Sequence, residues 1–180
     1  MPTVLVPLAR GVEEMEAVMI VDVLRRAQWT VVAAGLEDGP VTASRGVRLV
    51  PDRTWSDILP GRFDVLVLPG GGPGAERLAA DERILNAIRE FHAAGKWMGA
   101  VCAAPLVLQA AGILGGRQVT CHPGVAAKLT ATARLSDRVV VDGRLVTSQG
   151  PGTCFEFALT LVRLIDGPAK ATTLADALVL

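Results

Sequence analysis

Short apolar runs rich in β-branched residues alternate along this chain with segments of helix length, and this alternation restricts the fold more than any other feature. Four runs are predicted as strands, namely Thr3–Leu8, Thr30–Gly35, Asp64–Pro69 and Trp97–Val101. Asp64–Pro69 is almost entirely apolar, which is typical of a central strand of a parallel sheet, because both faces of such a strand are buried. The strands therefore predict an α/β fold with a mostly parallel sheet.

The segments between and after these strands have apolar residues at helical spacing. The predicted helices are Met15–Ala27, Glu82–Ala94, Ala103–Ala111, Phe155–Leu164 and Lys170–Leu178. Because strands and helices alternate, we expect a doubly wound sheet with helices on both faces.

Two segments are predicted to depart from the parallel arrangement. Arg138–Ser148 is predicted as two strands around Asp142-Gly143, a strong signal for a hairpin and thus for a small antiparallel addition. Val41–Pro51 is expected to be a hairpin or an irregular segment. Since the sequence contains no internal repeat or linker, residues 1–180 are predicted to form one domain.

Composition narrows the classes of function. Eighteen Lys and Arg residues balance eighteen Asp and Glu residues, so the chain has no charge excess that would favour nucleic acid or an anionic membrane surface. No apolar run approaches the ~20 residues of a membrane helix. The three cysteines do not form a disulfide framework, and the N-terminus does not resemble a signal peptide, so we expect a cytoplasmic protein.

Cys102 lies where the predicted strand Trp97–Val101 passes into the next helix. In open α/β sheets ligands bind beyond the carboxyl ends of the strands, and a sharp turn there exposes a nucleophile. The small neighbours of Cys102 suit such a turn, and a helix N-terminus lowers a thiol pKa. A reactive thiolate is therefore predicted, the alternative being a buried structural cysteine.

Glu16 differs from the other acids near the start of the first predicted helix. Residues 4, 7, 8 and 11 positions after Glu16 are apolar, which places its carboxyl on the side of the core. A carboxyl there has a raised pKa and can act as a general acid beside a thiolate. The alternative is a solvated acid at a helix N-terminus, the position that suits Glu13 and Glu14.

A glycine-rich segment, Gly70–Glu76, follows the strand Asp64–Pro69. Its backbone amides suit an oxyanion hole. The spacing also fits a loose dinucleotide fingerprint, but the segment does not lie in the first βαβ unit. A tight turn without a binding role is the third interpretation.

His122 precedes Pro123 and is one of two histidines; the other, His92, lies on a charged segment and is expected at the surface. His122 is either a base or electrostatic partner of Cys102, or a turn residue. No set of His, Cys, Asp and Glu residues has the spacing of a metal site.

Several longer motifs occur together and in one order, namely GVEEMEAV (11–18), DVLVLPGGGPGAE (64–76), AVCAAP (100–105) and TSQGPGTCFEFAL (147–159). On these motifs the chain resembles the ThiJ/PfpI superfamily, specifically the branch of the parkinsonism-associated protein deglycase and bacterial YajL. The resemblance implies a flavodoxin-like sandwich and a homodimer. Histidine directly follows the nucleophile in the PfpI-type peptidases, and Ala103 occupies that position here, so peptidase activity is not expected.

The resemblance also implies roles for individual residues. Cys102 is the implied nucleophile, Glu16 its carboxylic acid partner and His122 the accompanying histidine. The implied oxyanion pocket is lined by the backbone N–H groups of Gly71 and Ala103, with Gly70 beside them. The resemblance also implies that Arg26 and Arg45 lie near the dimer interface, close to the active site.

The implied activity is that of a glutathione-independent glyoxalase (glyoxalase III type) and protein deglycase. Such an enzyme acts on methylglyoxal, glyoxal and early glycation adducts through a Cys102 hemithioacetal, without a metal or organic cofactor. The alternative is a redox sensor or stress-responsive chaperone that works through oxidation of Cys102. Flavin or nucleotide binding is a third hypothesis, based on fold analogy alone.

Overall fold

The computed structural model describes all 180 residues. Its strands are β1 (Thr3–Leu8), β2 (Thr30–Gly35), β3 (Val41–Thr42), β4 (Arg48–Leu49), β5 (Arg53–Thr54), β6 (Val65–Leu68), β7 (Trp97–Val101), β8 (Val139–Asp142) and β9 (Leu145–Ser148). Its α-helices are α1 (Glu14–Arg26), α2 (Gly72–Ala79), α3 (Glu82–Ala93), α4 (Pro105–Ala110), α5 (Cys154–Asp166) and α6 (Pro168–Ala177).

Seven strands form one sheet in the order β5-β2-β1-β6-β7-β9-β8. All neighbouring strands are parallel except β8, which pairs antiparallel with β9, so the predicted hairpin and the mostly parallel sheet are confirmed. The segment that was expected to be a hairpin or irregular contains β3 and β4, a separate antiparallel pair.

Helices cover both faces of the sheet, as the predicted doubly wound architecture requires. Alternate residues of a strand point to opposite faces, so Leu66 and Leu68 of β6 enter one core, while Val65 and Val67 enter the other. The first core includes side chains of α2, α3 and α4, and the second includes side chains of α1, α5 and α6.

Two helices differ from their predicted positions. Helix α4 begins at Pro105, not near Ala103, because Cys102 has a positive φ that interrupts the passage from strand to helix. Helix α2 was not predicted, since its first residues are glycine and proline. Pro73 is tolerated there because a helix leaves its first N–H groups without an intrahelical partner.

The sheet order also places the loops that matter for function. The chain passes from β1 to β2 in one direction and later reaches β6 on the other side of β1, so the order reverses between β1 and β6. Ligands in open α/β sheets bind at such a reversal, beyond the carboxyl ends of the strands. None of the helices combines the length and the apolar character that crossing a bilayer demands.

Candidate active site

Cys102 directly follows β7 in a strained backbone conformation. Its φ is +61°, in the left-handed region that residues with a side chain rarely adopt, and such a residue costs on the order of 1–3 kcal/mol. Two hydrogen bonds fix the turn: the Cys102 N–H donates to the Ser148 carbonyl and the Cys102 carbonyl accepts from the His122 N–H, each over 2.9 Å. The thiol is half-buried. The predicted sharp turn is thus present.

Backbone amides face the sulfur. Burial raises the pKa of the Cys102 thiol, and hydrogen bonds from the N–H groups of Gly71 and Ala103 act in the opposite direction. These are the two amides that the resemblance implied for an oxyanion pocket.

Glu16 is completely buried beside the thiol. Its Oε2 accepts a 2.7 Å hydrogen bond from the Gly70 N–H, whereas its Oε1 has no hydrogen-bond partner. Burial raises the pKa of the Glu16 carboxyl from 4.5 to about 7, against the lowering effect of the hydrogen bonds from Gly70 and Cys102. The carboxyl therefore faces the core and not the solvent, and it exchanges its proton near neutral pH.

The predicted lowering of the thiol pKa is wrong. Burial, reinforced by the charge of the Glu16 carboxylate, raises the pKa of Cys102 to about 12, and the Gly71 and Ala103 amides do not compensate. The six-residue helix α4 starts only at Pro105 and does not reverse this balance. Because thiol and carboxyl interact, they titrate as a pair. Near pH 7 the pair loses its first proton, and one proton is then shared between sulfur and carboxylate.

The glycines beside the thiol are required for space. A Cβ on Gly70 would lie 2.6 Å from the Cys102 Cβ and 2.8 Å from Glu16 Oε2. Gly71 has a φ of +89°, and a Cβ there would overlap the backbone at Gly11. Only glycine allows the segment to approach both groups this closely.

His122 lies at the start of the short 3-10 turn Pro123–Lys128, with its side chain exposed. Its Nδ1 accepts a 3.0 Å hydrogen bond from the Gly124 N–H. In the neutral ring the proton is therefore assigned to Nε2, so the free ring nitrogen is a donor. This geometry combines two alternatives that the sequence left open: His122 is a turn residue, and its ring remains available at the site. It does not favour a neutral His122 acting as a base.

The two arginines lie outside this cluster. Arg26 is in the last turn of α1, ten residues from Glu16 and thus about 15 Å along the helix, and it pairs with Asp22. Within one chain Arg26 is not near the site, and its place at an interface stays a prediction. Arg45 has an exposed side chain, and its N–H donates to Glu14 over 2.7 Å.

The segment Ser148–Thr153, for which the sequence predicts no role in the site, also reaches it. Gly150 is buried, and a Cβ on it would lie 3.4 Å from His122 Cδ2 and 3.9 Å from Glu16 Oε1. The segment reaches the site because β9 runs parallel to β7, so that both strands end at the same edge of the sheet. The predicted hairpin Arg138–Ser148 gave no indication that the segment after it lies at the site.

The remaining cysteines and His92 are apart from this chemistry. Cys121 and Cys154 are both fully buried, and the Cys154 thiol donates weakly to the Glu16 carbonyl. His92 is exposed, with its ring 3.4 Å from Arg117. No group of three or more potential metal-binding side chains comes together in the structure.

Comparison with known proteins identifies relatives that match most of this chain. The profile described as "DJ-1/PfpI family" matches residues 2–164. Protein DJ-1 homolog B of Arabidopsis thaliana is 44% identical over 98% of this chain, but the match covers only 41% of that protein, and 45% of the related homolog A. The chain thus spans less than half the length of these two relatives. The "Glutathione-independent glyoxalase DJR-1.2" of Caenorhabditis elegans is 41% identical over 93% of this chain and 90% of its own length.

Solved structures agree with this fold. "Toxoplasma gondii DJ-1, oxidized" superposes with a TM-score of 0.95 at 38% identity, covering 99% of this chain and 98% of the other. DJ-1beta of Drosophila melanogaster gives a TM-score of 0.95 at 37% identity, with the same coverage of both chains. The flavodoxin-like α/β architecture implied by the resemblance is therefore confirmed.

Proposed function

This chain belongs to the DJ-1/PfpI family, and from that premise we propose that it is a cysteine-dependent, glutathione-independent glyoxalase that converts methylglyoxal and glyoxal to hydroxy acids. The observation that carries the proposal is the contact between a half-buried thiol in a strained turn and a buried carboxyl with a pKa of about 7. The name of the Caenorhabditis elegans relative supports the same reaction class.

The first step is the addition of the Cys102 sulfur to the aldehyde carbon. The Glu16 carboxylate takes the thiol proton, a carbon–sulfur bond forms, and the π electrons of the carbonyl move to its oxygen. The amides of Gly71 and Ala103 stabilise this oxygen, which then takes the proton from Glu16 to give a hemithioacetal and leaves Glu16 as a carboxylate.

An internal proton transfer follows. The Glu16 carboxylate removes the proton from the former aldehyde carbon and delivers it to the neighbouring carbon, while the hydroxyl proton passes from the oxygen of the first carbon to the oxygen of the second. The hemithioacetal thereby becomes a thioester of lactate without any oxidant. Nε2–H of His122 donates a hydrogen bond to the oxygen of the second carbon. Water then hydrolyses the thioester, which releases lactate and restores the thiol.

The same chemistry is proposed to extend to early glycation adducts of proteins. These adducts have the carbon skeleton of methylglyoxal, with the aldehyde carbon attached to a side-chain nitrogen, sulfur or other nucleophile. Since Cys102 is only half-buried, such an adduct on an exposed side chain could reach the sulfur.

A redox role for Cys102 is the second candidate. The Gly71 and Ala103 amides that face the sulfur are also suited to an oxygen bound to it, as in a sulfenic or sulfinic acid. The solved structure of the Toxoplasma gondii relative is described as oxidized. Under this candidate, peroxide converts Cys102 to an oxidised form, and methylglyoxal is not turned over.

Lactate formation from methylglyoxal in the absence of glutathione tests the proposal. We expect turnover by the native chain and none by Cys102→Ala, while Cys121→Ala retains activity, because Cys121 is buried outside the site. Equal rates for the native chain and Cys102→Ala would place the activity elsewhere. No lactate from the native chain, together with oxidation of Cys102 by peroxide, would favour the redox candidate.

We further propose that two copies of the chain associate through the exposed side of α1. Met15 and Val18 are more than half exposed there, and Val50 is 81% exposed. Val18 and Val50 line the same cavity of about 290 Å³, so the apolar side chains share one surface. Sedimentation should give a dimer for the native chain and a monomer for Val18→Asp.

A further inference from the structure

Gly150 lies between the two groups of the site that have unused hydrogen-bonding capacity. Oε1 of Glu16 is buried without a hydrogen-bond partner, which is unfavourable for a polar atom. A Cβ on Gly150 would lie 3.9 Å from that oxygen and 3.4 Å from Cδ2 of the His122 ring. The missing side chain thus leaves space beside both groups.

Nothing in the fold demands a glycine at this position. The φ and ψ of Gly150 are 163° and −165°, an extended backbone that any residue adopts. The contacts that a Cβ would make are of ordinary van der Waals length, unlike the overlaps at Gly70 and Gly71. An alanine would therefore fit the protein itself while filling the room beside Glu16.

The backbone of Gly150 is held firmly against the site. Its N–H donates to Oγ1 of Thr153 over 3.1 Å, and its carbonyl accepts from the Thr153 N–H over 3.0 Å and from the hydroxyl over 2.9 Å. The same hydroxyl lies 2.5 Å from Oγ of Ser148, whose carbonyl accepts the Cys102 N–H. Hydrogen bonds thus connect the backbone of Gly150 to the turn that holds Cys102.

The reaction geometry determines which part of the substrate lies against Gly150. The aldehyde carbon must bond to the Cys102 sulfur with its oxygen at the Gly71 and Ala103 amides. The second carbon must lie next to Glu16, because a proton is delivered to it. The substituent on the second carbon is then directed to the room between Glu16 and His122, against Gly150.

We infer that Gly150 provides the space for a substituent on the carbon next to the aldehyde, so that a substrate with a methyl group there requires a residue without a side chain at this position. This inference rests on the proposed glyoxalase function and specifies one determinant of its substrate range. It distinguishes methylglyoxal, which has a methyl group there, from glyoxal, which has a hydrogen atom.

The test compares Gly150→Ala with the native chain on glyoxal and methylglyoxal. One methyl group that no longer fits reduces kcat/KM by about 10–200-fold. We expect a loss of at least ~10-fold for methylglyoxal and a change within ~3-fold for glyoxal, which has only hydrogen there. Equal losses on both substrates, or no loss on methylglyoxal, would overturn the inference.

Gly152→Ala is the matched control, since a Cβ on Gly152 meets nothing within 4 Å and the residue lies two positions away. We expect native kinetics from it. Thermal unfolding of both variants should match that of the native chain, which separates a filled pocket from a damaged fold.

The rate of Cys102 alkylation does not depend on turnover, so measuring it separates this inference from the glyoxalase proposal. Chloroacetaldehyde and chloroacetone both alkylate thiols through a CH2 carbon and differ by one methyl group on the carbon next to it. If the native chain forms no lactate, the glyoxalase proposal fails, but Gly150→Ala should still slow alkylation of Cys102 by chloroacetone more than by chloroacetaldehyde, each relative to the native chain. An equal effect on both reagents would contradict the role of Gly150.

Discussion

The N–H of Gly70 donates a 2.7 Å hydrogen bond to Oε2 of Glu16, at the point where the segment after β6 passes over the start of α1. The other carboxyl oxygen, Oε1, is buried without a partner. The hydrogen bonds from Gly70 and Cys102 do not replace the water that an ionised carboxyl loses on burial, so the protonated form is favoured. The site therefore holds an acid that ionises near pH 7.

This relationship predicts that Glu16 reduces stability at neutral and alkaline pH. Raising a pKa from 4.5 in the unfolded chain to about 7 in the folded chain corresponds to about 3 kcal/mol. The favourable contribution of the protonated group is complete below pH 4.5 and is lost as the pH rises through about 7. Glu16→Gln should therefore have a higher free energy of unfolding than the native chain at pH 8, by up to about 3 kcal/mol. Urea unfolding at pH 5 and pH 8 measures the difference, and an equal difference at both pH values would contradict the burial of an ionisable carboxyl.

Gly70→Ala should damage both stability and the site. Its Cβ would overlap the Cys102 Cβ and Glu16 Oε2, and overpacking of this kind costs about 1–3 kcal/mol. Gly72→Ala is the matched control two residues away, where a Cβ meets nothing within 4 Å. Chemical denaturation should show a loss for the first variant only, and similar values for both would mean that the segment can move away from Cys102.

His122→Asn should separate the two tasks of His122. The asparagine side chain can accept the Gly124 N–H in place of Nδ1, but it cannot supply Nε2. We expect an unchanged melting temperature and a decrease in kcat of about 10–100-fold, at the low end of acid–base contributions because the ring is exposed. Native kcat in the variant would show that His122 serves the turn alone.

Glu14 should fix the segment between β3 and β4. It accepts hydrogen bonds from the Ser44 hydroxyl and the Arg45 N–H, each over 2.7 Å. Burial raises its pKa, but these hydrogen bonds outweigh that effect and lower it below 4.5, so the contribution to stability is present above this value and is lost as the pH falls. Glu14→Ala should lower the free energy of unfolding at pH 7 by about 1–3 kcal/mol and speed hydrogen exchange at the Arg45 amide. Unchanged exchange at Arg45 would rule out this role.

The fold could be predicted from the sequence because its strands are nearly all apolar and its helices have apolar spacing. The prediction failed where glycine and proline obscured the pattern, as in α2, and where a strained residue delayed a helix, as before α4. Propensities describe isolated segments, whereas the turn at Cys102 is held by hydrogen bonds to the Ser148 carbonyl and from the His122 N–H, and both residues are distant in sequence.

The site was harder to predict from the sequence than the fold, because it depends on which strand ends are neighbours in the sheet. Helical spacing alone placed Glu16 on the core side of α1, and the structure agrees. The direction of the thiol pKa could not be predicted, since it depends on the depth of burial and on the charge of Glu16. Gly150 could be found only from the pairing of β9 with β7.

The pH dependence of kcat/KM for methylglyoxal in the native chain and in Glu16→Gln tests the central claim, that Cys102 and Glu16 react as a pair that shares one proton. In the native chain we expect kcat/KM to rise with pH, with an apparent pKa near 7, and then to level off. In Glu16→Gln the thiol must ionise alone, so the rise should move towards or beyond the ordinary thiol value of 9.0, and the rate at pH 7 should fall by about 100-fold or more. A native rate and an unchanged profile in Glu16→Gln would contradict the shared proton.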